Sequence, residues 1–109
     1  MIPEIDKYTY RVVWSEDDQE FVGTCAEFSS LSWLKTTPEA ALSGIRALVR
    51  SVVEDMKVNG EPIPEPISSR KYSGKFMVRV PPEVHRHLAL EAAESGVSLN
   101  RLASTKLAQ

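Results

Sequence analysis

The chain has 109 residues, 42% hydrophobic and 26% charged, which fits a soluble globular protein with one ordinary core or two very small ones. No apolar run approaches the ~20 residues of a membrane span, and the opening MIPEIDKYTY lacks the basic-then-apolar pattern of a secretory signal. The net charge of −2 hides a division: residues 1–69 carry six basic and twelve acidic side chains, whereas residues 70–109 carry seven basic and three acidic ones.

In chain order, the first segment alternates with period two. Tyr8, Tyr10, Val12 and Trp14 fall on one face of a strand, with Thr9, Arg11 and Ser15 on the other. Glu16-Asp17-Asp18 reads as a hairpin turn. A second strand is expected over about 19–26 and a third over about 31–35, giving an antiparallel meander with one buried face. Thr37-Pro38-Glu39 is a helix start, with an N-cap hydroxyl, proline at the first helical position and an acid in the first turn. Ala41, Ile45, Leu48, Val49, Val52, Val53 and Met56 then form one amphipathic stripe. Asn59-Gly60 ends this helix, and Pro62, Pro64 and Pro66 prevent it resuming. One helix laid across a small meander is an α+β arrangement. The following stretch reads as a connector with room for one edge strand near 63–67. The single cysteine, Cys25, reads as a small buried hydrophobe suited to a reducing cytosol.

The last 36 residues are the most informative. Lys75-Phe76-Met77-Val78-Arg79-Val80 alternates Lys75, Met77 and Arg79 against Phe76, Val78 and Val80. Pro81-Pro82 stops that strand and opens a helix reaching about Ser95, closed by Gly96. Ser98 caps a shorter helix carrying Leu99, Leu102, Ala103 and Leu107. A lone six-residue strand leaves a row of backbone donors and acceptors unmet inside so small a module. Two copies pairing antiparallel solve this: Phe76, Val78 and Val80 cover the helices, and the outer face presents Lys75, Met77 and Arg79. A two-stranded ribbon fits the major groove, where lysine or arginine reaches guanine edges. The amides at Ser98 and beyond are placed to meet a phosphate. The basic end suits a polyanion and the acidic body a basic protein.

The run SGKFMVRVPPEVHRHLALEAAESGVSLNRL resembles the ribbon-helix-helix domain of HicB-family antitoxins. YRVVWSEDDQEFVGTCAEF, the TTPEAAL helix start and the NGEPIPEP exit resemble that family's antitoxin domain. The resemblance implies a truncated ribonuclease-H-like domain over 1–66 that binds a HicA-like mRNA-cleaving toxin, a linker over 67–74 and a ribbon-helix-helix domain over 75–109. It also implies a homodimer or higher homo-oligomer that represses its own operon on double-stranded operator DNA, in the cytoplasm at the nucleoid and away from membranes. Base-reading positions carry over to Lys75, Met77 and Arg79, and phosphate-binding positions to Ser98 and Asn100. Glu27-Phe28-Ser29-Ser30-Leu31 departs from the proline- and glycine-bearing turn of the family. A stand-alone repressor, whose N-terminal domain binds a ligand or another partner, is the alternative.

Nothing reads as an enzyme, a metal site or a cofactor site. Glu16, Asp17, Asp18, Glu20 and Glu27 are mostly consecutive turn acids, which water ordinarily solvates. His85 and His87 stand about 200° apart around a helix and cannot readily share a metal. Tyr8, Tyr10, Trp14, Phe21 and Trp33 are expected in the core or under a partner protein.

Overall fold

The computed structural model describes residues 4–109, which divide into two compact units meeting between Tyr72 and Ser73. In the first, Tyr10–Ser15 (β1), Glu20–Cys25 (β2) and Ser32–Lys35 (β3) form an antiparallel sheet in the order β1-β2-β3. Its register pairs Val12 with Gly23 and Gly23 with Trp33. The turn acids expected between the first two strands are there, and Gln19 completes the turn in the left-handed region with φ 56°.

Pro38–Val58 (α1) crosses one face of this sheet. Thr37 caps it by accepting the Ala40 N–H at 3.2 Å. Ala41, Ile45, Val49 and Val53 are buried, and Leu48, Val52 and Met56 pack beside them, so the expected stripe is the core-facing one. Sheet and helix approach closely because two glycines leave space. A Cβ at Gly23 would stand 2.6 Å from the Ala41 carbonyl oxygen, and one at Gly44 would fall inside the Trp33 indole.

Tyr8 precedes β1 instead of lying within it, after a short 3-10 turn over Ile5–Lys7 that the alternation did not reveal. It is buried, packs edge-on against Phe28, and donates its hydroxyl to the Pro64 carbonyl at 2.7 Å. The edge strand anticipated near 63–67 does not form. Pro64 and Pro66 have no amide to place in a ladder, and the Ile67 N–H goes to the Glu27 carboxylate at 2.9 Å.

In the second unit, Pro82–Ser95 (α2) and Leu99–Leu107 (α3) pack on each other as anticipated. Gly96 adopts the left-handed conformation, φ 68°, that lets its N–H and that of Val97 close α2 onto Ala92 and Ala93. Residues 75–80 form no strand within the single chain. The physical reason is that a strand is defined by its partner, and this unit contains no second one.

Candidate nucleic-acid interface

Lys75, Met77 and Arg79 all lie in the extended-sequence segment between Gly74 and Pro81, and all three are exposed. The segment's alternation would normally hide one of its two faces, yet Phe76 is 76% exposed and Val78 58%. Ser73 fixes its entry locally: its hydroxyl accepts the Lys75 N–H at 3.0 Å. Ala92 is the single buried residue of the whole second unit, which is too little core for 37 residues to hold together alone.

Ser98 and Asn100 sit at the opening of α3. Ser98 has extended backbone angles and accepts the Arg101 N–H at 3.0 Å, so capping is its established role. Asn100 is exposed in the first turn, with no hydrogen-bond partner for its side chain among the described residues. Arg101 beside it is exposed as well. Sequence reasoning had not singled out Arg101, although a basic residue in the first turn of a helix is unusual for the dipole and was readable as such. On α2, Glu91 pairs with Lys106 of α3 at 3.4 Å, which engages one of the unit's five basic side chains internally.

Among its described residues the first unit has an exposed Arg70-Lys71 pair but no segment outside its sheet that alternates basic with apolar side chains as 75–80 does. Trp14 and Trp33, expected in the core or under a partner, are 46% and 37% exposed. Trp14 stacks edge-on against Phe21 and donates its indole N–H to Glu16 at 2.7 Å. Cys25 is buried in the core as expected, and burial pushes its thiol up. Burial also raises the Tyr10 phenol to about 12, with Cys25 adding to the shift. Its hydroxyl donates to the Ile5 carbonyl at 2.8 Å.

Within 27–31, Glu27, Phe28 and Leu31 are committed to internal structure, while Ser29 and Ser30 are exposed. Phe28 is core, and the Glu27 carboxylate accepts the Thr9 N–H at 2.9 Å, the Thr9 hydroxyl at 3.2 Å and the Ile67 N–H at 2.9 Å. Burial alone would raise the Glu27 carboxyl, but the hydrogen bonds from Thr9 and Ile67 outweigh it and hold the group below its ordinary value. Glu27 thereby lashes the start of the connector to β1. Among the described residues, no group of three or more His, Cys, Asp or Glu side chains could hold a metal, and no helix is long and apolar enough to cross a membrane.

Residues 58–107, from the last residue of α1 through the connector and nearly all of the second unit, match the model of the HicB family. Neither curated proteins nor solved structures gave a match to the chain.

Proposed function

We propose that this chain is a DNA-binding antitoxin of a toxin–antitoxin system, built from a toxin-holding first unit and a dimeric β-ribbon. Segments 75–80 of two chains pair antiparallel, turning Phe76, Val78 and Val80 onto the helices and Lys75, Met77 and Arg79 into the major groove. Lysine and arginine there read guanine O6 and N7, and Met77 touches a thymine methyl. The amides and side chains of Ser98 and Asn100 hold a phosphate on each side and set the register. The acidic first unit neutralises a small basic HicA-like toxin, and the complex represses its own operon.

One observation carries this reading: a basic–apolar alternating segment is wholly exposed in a unit with one buried residue. A second strand covers that apolar face and meets the free backbone at once. The HicB-family match over the same residues supports the same conclusion.

The test is binding of the full chain to duplex DNA from upstream of its own gene, against a random duplex. Arg79→Ala is expected to cost about 1–3 kcal/mol on the specific duplex and to relax preference at one base pair per half-site. Asn100→Ala is expected to weaken both duplexes alike. Equal losses on both duplexes for Arg79→Ala would reject the ribbon face as the reader. Co-expression with a small basic protein encoded beside the gene tests the toxin arm, with co-purification as the expected outcome.

A further inference from the structure

The register of the first unit sorts its strand residues by face. Gly23 abuts α1, so its neighbours Val12 and Trp33 share the helix-covered side, and residues one position along face away from α1. On that second face Val13, Val22 and Leu34 stand directly opposite one another, an apolar row running across all three strands. Above it lie Arg11, Thr24 and Ser32; below it lie Ser15 and Glu20. Among the described residues no helix or strand of this unit covers the row, and Val13 is 44% exposed. Arg11 and Glu20 have no ion-pair partner among the described residues.

We infer that this open sheet face is a self-association surface, on which the first units of two chains stack sheet to sheet about a two-fold axis lying along the Val13–Val22–Leu34 row. Two features select a second copy as the occupant. The first is size. Three strands by five residues give a face of roughly 10 Å by 17 Å, far below the ~800 Å² per partner of a stable standard interface. So small a face serves a partner that is already tethered, and the pairing proposed for residues 75–80 supplies one at high effective concentration. The inference rests on that pairing.

The second feature is charge. An axis along the apolar row sets the row against its own copy and carries Arg11 of each chain over the Ser15–Glu20 end of the other. Each Arg11 guanidinium then meets a Glu20 carboxylate across the ~10 Å gap between stacked sheets. An axis along the strands instead sets Glu20 against Glu20, which like charges disfavour. The face is thus self-complementary in one orientation, as an isologous contact requires.

The experiment uses the full chain carrying Val13→Cys with Cys25→Ser, a short bis-maleimide cross-linker and dilute protein. An exposed control, Asn59→Cys in the same background, reports random collision. Covalent dimer is expected from Val13→Cys and not from the control. Arg11→Glu or Glu20→Arg is expected to lower the yield roughly two- to fivefold, the scale of a rim ion pair, and the double reversal to restore it. A chain that sediments as a dimer yet gives no Val13→Cys product overturns the sheet contact and leaves the ribbon standing. A chain that sediments as a monomer overturns both. Val13→Cys that is protected from maleimide only when a basic neighbour protein is added assigns the face to that partner and rejects self-association.

Discussion

The two units of this chain solve the problem of a small core in opposite ways. The first buries Tyr8, Cys25, Phe28, Ala41, Ile45, Val49 and Val53 within itself, whereas the second buries Ala92 alone and leaves Phe76, Met77, Val78 and Val80 exposed. A sheet with a helix on one face has an inside. Two short helices and an unpaired segment have none until something else arrives. The contrast places the stability of the first unit in one chain, whereas the pairing proposed for residues 75–80 would make that of the second depend on concentration.

The largest expected effect lies in the first unit. Ile45 is fully buried beneath the sheet at Gly23, and Ile45→Ala is expected to cost about 2–5 kcal/mol through lost burial and a residual cavity. Denaturant unfolding followed by Trp14 and Trp33 fluorescence measures it. The loss should be the same at low and high protein concentration. A loss that shrinks as protein concentration rises would mean that the first unit also depends on a partner for its core, and the contrast would fail.

Phe76→Ala makes the complementary attack. On a free chain the side chain is 76% exposed and its removal should cost little. Under a paired strand it becomes an aromatic anchor, and its removal should weaken the dimer by about 2 kcal/mol. Sedimentation equilibrium separates these outcomes: the dimer dissociates at markedly higher concentration, and the tryptophan-reported transition of the first unit does not move. An unchanged dissociation constant would place Phe76 outside the pairing interface.

Much of this architecture was legible because its patterns are local. The α1 stripe has a helical period, and Thr37-Pro38 and Ser98 announce the ends they cap. The alternation in 75–80 was legible too, and its missing strand partner follows from the same reasoning. What stayed hidden is long-range. The Tyr8 hydroxyl finds the Pro64 carbonyl 56 residues away, and Glu27 reaches the Ile67 amide 40 residues on. These two bonds consume the groups that an edge strand near 63–67 would have needed. No spacing in the sequence foretells them. Likewise, the Val13–Val22–Leu34 row exists only once the register of three strands is known, because each residue alone reads as an ordinary strand apolar.

Gly44→Ala sharpens the comparison at a finer scale. Alanine favours the helix by about 1 kcal/mol over glycine, but the added methyl enters the space of the Trp33 ring. Overpacking of this kind costs about 1–3 kcal/mol, so the net change is a modest destabilisation. The indole moves toward solvent, and a red-shifted emission from Trp33, read in a Trp14→Phe background, reports it. Stability gained without a spectral shift would show that the ring yields freely and that the glycine is not needed for close packing.

The smallest expected effect is a pH dependence within the first unit, where the connector is tied to the sheet. Glu27 holds the connector to β1 through its carboxylate, whose hydrogen bonds from Thr9 and Ile67 keep it below its ordinary value of 4.5. A group bound more weakly to its proton in the folded state stabilises that state when ionised. The contribution is therefore complete above the ordinary value and is lost as pH falls through the folded one. Glu27 is half-buried, so water screens part of the effect and the slope should be gentle. Glu27→Gln keeps one carbonyl oxygen for a single amide and removes the ionisation. Urea midpoints measured between about pH 3 and 7 should fall on the acid side for the parent chain and be flatter for the variant, which is less stable at neutrality. An identical acid slope in both would mean that Glu27 does not control it, and that the tie between connector and sheet contributes nothing the solvent cannot replace.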